Sequence, residues 1–290
     1  MQPLQRVKSV QEFIENDKEM GVDRTYIYYR NSSYHLHTDK QEIDLVNSPV
    51  WGQMLFLDGT LQSTTRDEII YHIALVHPFI SGLVNKRNIL ILGGGEGATA
   101  REVLRNKKVE SVTMVDYDME LVEMMKEHGQ LWSRGAFDNP RLNILYDDAW
   151  NFMHNCMSYD GVIIDLTDPD LNRQKWMPLL ENVIRCVKPM KGGFVMNAGL
   201  YMPWNTQKLK EIKSMILELC VMNPEFKYYI YTANIPSFNG EWTFIVVSHK
   251  QKFMIEPEFM TTIPKWIRRT MKVLDDDLID HSAITVANCV

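Results

Sequence analysis

Cysteine is scarce and scattered: Cys156, Cys186, Cys220 and Cys289 include no C-x-x-C pair. That spacing argues against a structural metal site or a disulfide framework, and a reducing compartment is the expectation. Long apolar runs are missing too. The most apolar stretch, HIALVHPFISGLV, is broken by Pro78 and carries His72 and His77. It falls short of the about 20 apolar residues that cross a bilayer. The first residues, MQPLQRVKSV, lack an apolar signal-peptide core, so a cytoplasmic protein with no membrane partner is expected. Basic excess is absent: 31 Lys and Arg face 37 Asp and Glu, a net charge of -6. Nucleic acid wants a basic face and is therefore not an expected partner; a cationic ligand is compatible with the balance. No repeat or low-complexity tract occurs. What is present is ordinary soluble composition, 45% hydrophobic and 23% charged over 290 residues. That is enough for one large domain or two modest ones.

Two patterns divide the chain. Residues 25–64 hold short segments with partial alternation, TYIYYR, YHLH, EIDLV and MLFLDG. Asp58-Gly59 reads as a hairpin turn between MLFL and TLQST. DEIIYHIALVHPFI follows as a helix with Asp67 and Glu68 at its start, where carboxylates suit the dipole. From residue 88 the pattern becomes strand, loop, helix, repeated. NILIL, SVTMV, LNILY, GVIID and GGFVMN are apolar runs of the kind found in parallel sheets buried on both faces. Helical stretches separate them, and FKYYIYTA and WTFIVVS end the series as an antiparallel pair. The expected fold is α/β, a methyltransferase-like doubly wound sheet carrying a small N-terminal antiparallel β domain. The domains are placed at 1–75, the β-strand domain, and 76–290, the Rossmann-like catalytic domain. EFMTTIPKWIRRT is a short amphipathic candidate helix interrupted by Pro264.

Ligands of such sheets bind beyond the carboxyl ends of the strands. After the first strand comes Gly93-Gly94-Gly95-Glu96-Gly97-Ala98, a G-x-G-x-x-A loop. It is a weak motif alone and stronger between a strand and a helix. Asp116 follows the second strand, where an acid about 20 residues on bonds a ribose diol. Asp147 and Asp148 follow the third, and Asp165 and Asp168 the fourth. Asp148 and Asp168 also sit where helix N-caps belong. Capping alone does not explain acids at so many strand ends, because ionised carboxylates lose solvation there.

Glu96 discriminates between cofactors. A dinucleotide puts its pyrophosphate on this loop, and intact S-adenosylmethionine puts its amino-acid carboxylate nearby. A glutamate repels both. It suits a molecule that ends there in a bare ammonium, as decarboxylated S-adenosylmethionine does. The acids beyond the fourth strand then suit a second cation, a polyamine.

On these residues the chain resembles the aminopropyltransferases, the family of spermidine, spermine and thermospermine synthases. LDGTLQSTTRDEIIYH, GGGEGATAREVLR, YDGVIIDLTDP and IYTANIPSFNGEWTF match its motifs in order. The resemblance implies aminopropyl transfer to a polyamine amine, with methylthioadenosine as the byproduct and no metal. Asp165 would be the catalytic aspartate, with Tyr71 and Asp168 holding the acceptor amine. Glu96 would hold the aminopropyl ammonium, Gln62 and His72 would lie by the cofactor, and Gly93 and Gly95 would form its loop. Asp116 would take the ribose hydroxyls, and Asp148 the adenine amino group beside the Ala149 backbone. Tyr71 and His72 read equally as helix residues packed on the core, and Gln62 as a hairpin surface residue. Family members are commonly dimers, so a homodimer is expected.

Departures from the family pattern bear on the acceptor. Spermidine synthases usually carry D-S-S-D-P where this chain has Asp165-Leu166-Thr167-Asp168-Pro169. Phe238 replaces a late-loop tyrosine, and Asn197 stands where glutamine is common. D-L-x-D-P with PSF and Trp242 is closer to thermospermine synthases, which implies spermidine as acceptor. Putrescine, as in spermidine synthase, and the product spermine are the alternatives. Glu241 is either an anchor for the far ammonium of a long acceptor or a solvated loop residue. A methyltransferase or a non-catalytic binder on the same scaffold is the reading from a different class. Glu96 speaks against the first, and Asp165, Asp168 and Tyr71 together against the second.

Overall fold

Continuous burial marks the strands Asn88–Gly93, Ser111–Asp116, Gly161–Asp165 and Gly193–Tyr201, and only partial burial the first strands of the chain. The strand Leu142–Tyr146 is largely exposed at the sheet edge, so LNILY is not buried on both faces as its apolar run suggests. The computed structural model describes residues 10–18, 20–156, 158–170, 172–188, 191–249 and 263–274. The chain divides into two units, Met1–Ile69 and Ile70–Val290.

In the first unit β1 (Val10–Asp17) and β2 (Val22–Tyr29) form an antiparallel hairpin. A four-stranded antiparallel sheet follows, β3 (Tyr34–His37), β4 (Glu42–Ser48), β5 (Gly52–Leu57) and β6 (Thr60–Thr64), in sequential order. The β5–β6 turn is the expected one: Asp58 and Gly59 both take positive φ, 49° and 74°, as a type I′ hairpin requires. Strand β1 was not expected, because its polarity is inverted. Ile14 is 64% exposed while Glu15 is buried. The Glu15 carboxylate accepts from Tyr26 Oη at 2.7 Å and from the Leu61 amide at 2.8 Å. Those bonds offset the desolvation that burial imposes.

The second unit is built on an eight-stranded sheet. Five contiguous parallel strands make up one side of it: β7 (Asn88–Gly93), β8 (Ser111–Asp116), β9 (Leu142–Tyr146), β10 (Gly161–Asp165) and β11 (Gly193–Tyr201). β12 (Lys227–Ile235), β13 (Gly240–Ser248) and β14 (Met271–Val273) complete it in antiparallel pairings. The order is β14-β12-β13-β11-β10-β7-β8-β9. The expected methyltransferase-like arrangement, parallel strands and antiparallel hairpin, is therefore present. The chain runs outward from β7 to β8 on one side and later returns to β10 on the other. That reversal opens a crevice at the carboxyl ends of β7 and β10, the standard ligand position in such sheets.

Helices cross between the strands: α1 (Glu68–Gly82), α2 (Ala98–Leu104), α3 (Met119–His128), α4 (Gln130–Ser133), α5 (Ala149–His154), α6 (Arg173–Cys186), α7 (Gln207–Met222) and α8 (Lys265–Arg268). Leu90, Leu92, Val162, Ile164, Phe194 and Ile245 belong to a core packed under α6 and α7. The candidate helix at 258–270 is reduced to α8, which starts after Pro264; its residues 258–262 lie outside the described residues. β11 runs past the expected GGFVMN to Tyr201, through an irregularity between Asn197 and Leu200. The cysteine expectation is corrected. Cys156 and Cys186 are joined by a disulfide, with Cα atoms 5.9 Å apart. Sequence spacing hid it, because the ends of α5 and α6 meet only in the fold.

Candidate active site

Beyond β7 and β10 the crevice is lined from several elements. Gly93 and Asp165 are register partners, and the Gly94 amide donates to the Asp165 carbonyl at 3.2 Å. A Cβ on Gly93 would sit 2.2 Å from that carbonyl oxygen. Glycine is thus what lets the loop and the Asp165 end of β10 touch. Gly95 plays the same part toward β8, since a Cβ there would lie 2.8 Å from Asp116 Oδ2. Sequence spacing therefore brings Glu96, Asp116 and Asp165 to one place.

Asp165 ends β10 with its carboxylate held by hydroxyls. Tyr71 Oη, from α1, donates to Oδ1 at 3.0 Å, and Thr99 Oγ1, from α2, donates to Oδ2 at 2.5 Å. Burial, with the charge of Glu96, pushes the Asp165 carboxyl up to about 6, against the opposing pull of His72, Thr99 and Tyr71. Tyr71 is pushed well above an ordinary phenol by burial and by the charges of Asp165 and Asp168. One residue on, His72 is 1% exposed and its Nε2 lies 2.9 Å from Glu96 Oε1. His72, Glu96 and Asp165 each bring a ligand atom within 4.8 Å of the others. One imidazole and two carboxylates at that spacing can hold a cation.

Asp116 ends β8 and is buried; desolvation raises its carboxyl to about 6 although the Asp118 amide donates to it. Asp148 caps α5, accepting from the Asn151 amide at 3.0 Å, and Ala149 is buried behind it. The capping reading thus holds for Asp148. It fails for Asp168: α6 is capped by Asn172, whose side chain accepts from the Lys175 amide. Asp168 instead faces Lys208, with Nζ at 3.8 Å. An acid that is neither cap nor buried pin stands close to the crevice mouth.

On the side of β11 and β13, Asn197 Nδ2 donates to the Leu166 carbonyl at 2.8 Å. Its Oδ1 and the indole Nε1 of Trp242 are buried without a hydrogen-bond partner. Tyr71, Phe238, Trp242 and Phe244 form an aromatic wall. The Tyr71 ring centroid is 6.2 Å from Phe238, 6.5 Å from Trp242 and 5.4 Å from Phe244. Glu241 is neither free nor simply solvated, since it pairs with Lys272 of β14 and accepts from Thr232 Oγ1 at 3.0 Å. Gln62 lies in β6 of the first unit, where its amide donates to the Thr60 carbonyl at 3.1 Å.

The spermine/spermidine synthase domain model matches residues 68–257. A polyamine aminopropyltransferase of Aeropyrum pernix is 38% identical over 213 residues, 72% of this chain and 66% of that protein. The chain belongs to the spermine/spermidine synthase family, a family of transferases. A polyamine aminopropyltransferase of Sulfurisphaera tokodaii is 36% identical over 212 residues, 73% of this chain and 69% of its own. The chain thus spans about two thirds of the length of these relatives. A solved spermidine synthase in complex with the transition-state analogue AdoDATO aligns with a TM-score of 0.78. At 23% identity, over 98% of this chain and 96% of that one, it shows a shared fold. The family match spans α1 to β13 and so takes in the whole crevice of the second unit. Thr99 is a residue of this crevice that the sequence motifs do not single out. The available signal was a hydroxyl residue in the first turn after the glycine loop, opposite the strand that ends in Asp165.

Proposed function

We propose that this chain transfers an aminopropyl group from decarboxylated S-adenosylmethionine to a polyamine amine, releasing methylthioadenosine. The observation that carries the reading is the Glu96–His72–Asp165 cluster. It joins a buried imidazole to two half-buried carboxylates, a cation-seeking group at the switch point of a family fold. Family membership and the names of the relatives support the same reaction.

The roles follow from charge. Glu96, oriented by His72, takes the aminopropyl ammonium, which neutralises a carboxylate beside the raised Asp165. Asp116 takes the ribose hydroxyls, and Asp148 with the Ala149 backbone takes the adenine edge. Gly93 and Gly95 give the room. The acceptor nitrogen attacks the carbon bound to sulfur. The nitrogen–carbon bond forms as the carbon–sulfur bond breaks, and its electron pair leaves on sulfur as a neutral thioether. The nitrogen becomes an ammonium and gives its proton to the Asp165 carboxylate. An amine of pKa about 10 in water needs such a partner near neutrality. Tyr71 and Asp168 hold the acceptor.

The acceptor in this reading is spermidine and the product thermospermine. The aromatic wall and Leu166 suit methylenes. The orphaned Asn197 Oδ1 is an acceptor for an N–H of the bound amine, since an unpaired buried oxygen is costly. Glu241 can serve the far ammonium only by exchanging Lys272 for it. Incubation with equal putrescine and spermidine, followed by chromatographic separation of isomeric tetramines and mass spectrometry, tests the reading. Thermospermine is the expected main product. Spermidine made from putrescine would sink the triamine acceptor, spermine would sink the orientation, and a methylated product would sink aminopropyl transfer. A homodimer belongs to the same proposal and is tested by sedimentation.

A further inference from the structure

Asp165 is held by two hydroxyls, and Tyr71 supplies only one of them. The other comes from Thr99, the second residue of α2, which has no exposed surface. Its Oγ1 donates to Asp165 Oδ2 at 2.5 Å, on the opposite oxygen from Tyr71. That is the distance of a charge-assisted O–H···O⁻ bond. A threonine hydroxyl in the first turn of a helix ordinarily satisfies itself on nearby backbone. Here it reaches across to a residue 66 positions away. Valine would fill the same volume, so packing alone gives no reason for a hydroxyl.

We infer that Thr99 is a positioning residue for Asp165: its hydroxyl fixes Oδ2 and, with Tyr71 on Oδ1, sets the plane in which the carboxylate meets the attacking nitrogen. The inference rests on the reading of Asp165 as the group that takes the acceptor's proton. Two consequences follow. Held between α1 and α2, the carboxylate cannot rotate away when the acceptor is absent, so little ordering is left for the reaction itself. The hydroxyl also favours the ionised form over the protonated one, opposing the burial that raises Asp165.

The test is the pH profile of kcat/KM for Thr99→Val, Thr99→Ala and Thr99→Ser, alongside Asp165→Asn. Loss of the donor should move the acid limb of the profile upward by about one pH unit, the scale of one hydrogen bond to a charged group. Thr99→Ser should restore the wild-type limb. A residue that only packs would lower the rate equally at every pH, and serine would not rescue it. Superposed limbs for wild type, Thr99→Val and Thr99→Ala, or an equal loss at all pH, overturn the inference while an inactive Asp165→Asn leaves the wider reading standing. If Asp165→Asn keeps its rate, the wider reading falls and the inference with it. Thr99→Ala guards against a valine that disturbs the helix start. In an Asp165→Asn background Thr99→Val should have no further effect.

Discussion

Two aspartates bracket one strand, and the fold treats them in opposite ways. Asp160 stands immediately before β10 and Asp165 is its last residue. Asp160 has no exposed surface, yet Lys188 Nζ lies 2.8 Å from it and the amides of Arg87 and Asn88 each donate at 2.9 Å. Burial alone would raise its carboxyl, but Lys188 and those amides outweigh burial and hold it below the usual range. Asp165, five residues on, is hydrogen-bonded by hydroxyls rather than by an ammonium, and burial with Glu96 outweighs the pull of His72 and drives it up to about 6. The first acid is completed by folding, since its partners are part of the chain. The second is left with a desolvation cost that protonation or a bound cation offsets. A carboxylate kept short of positive charge in a crevice marks a site for a cation.

The contrast breaks most visibly by removing each acid in turn. Asp165→Asn should cut transfer by about 10² to 10⁴, the usual contribution of general base help. Methylthioadenosine binding should stay close to intact. A variant that kept more than about a tenth of the rate would show that Asp165 is not the base. Asp160→Asn should do the reverse. Activity per folded molecule should hold while denaturant unfolding loses about 1 to 3 kcal/mol, the cost of orphaned partners.

Glu96→Gln comes next in size. It should weaken decarboxylated S-adenosylmethionine by about 1.5 to 3 kcal/mol, the worth of a charge-assisted bond, and methylthioadenosine far less, because only the former brings an ammonium. Titration calorimetry with both ligands decides the matter. Equal losses would mean that the His72–Glu96 pair merely braces the loop.

The pH dependence sharpens the same comparison. Asp165 takes a proton only as a carboxylate, so kcat/KM should fall as pH drops through about 6. Stability runs the other way. A folded pKa above the unfolded one gives stabilisation that is full below the unfolded value and lost as pH rises through about 6. Asp165→Asn should therefore be more stable than wild type at pH about 8, by about 1 to 3 kcal/mol, and no more stable at pH about 4. Asp160, whose carboxyl is lowered, should show no such gain on replacement at either pH. Thermal unfolding at both pH values checks the pair, and equal responses of the two variants would erase the distinction.

What the sequence made legible was periodic and local. Buried parallel strands read directly from runs such as NILIL. The crevice acids followed because topology alone says where strand ends face. β1 was hidden because Glu15 points inward and Ile14 outward, so the pattern of apolar residues misreports the buried face. Thr99 is hidden because a first-turn hydroxyl after the glycine loop signals a donor near the crevice without fixing which carboxylate it meets. Cys156 and Cys186 are brought together by tertiary packing, which spacing does not encode. Glu241 looked like either an anchor or a solvated side chain, and it is paired with Lys272 from β14, a strand of three residues with no alternation to reveal it.

The smallest expected effect concerns how the Asp165 end of the crevice reads its acceptor. Phe238 is buried against Trp242, with ring centroids 4.5 Å apart, and its centroid lies 6.2 Å from that of Tyr71 with the two rings nearly perpendicular. The wall it forms is apolar on the side where Tyr71 already donates to Asp165. A short diamine carries a second ammonium close to the attacking nitrogen and gains from a nearby polar group. A longer triamine lays methylenes on that wall and loses packing if it becomes polar. Phe238→Tyr adds one hydroxyl and little else. One net hydrogen bond is worth about 0.5 to 1.5 kcal/mol, so the ratio of kcat/KM for putrescine to that for spermidine should rise by about two- to tenfold. Asp165 stays in place, and the acid limb near about 6 should not move. A competition assay with both amines measures the ratio. An unchanged ratio would place acceptor selection elsewhere on the crevice, and a shifted acid limb would show that the aromatic wall also shapes the charge of Asp165.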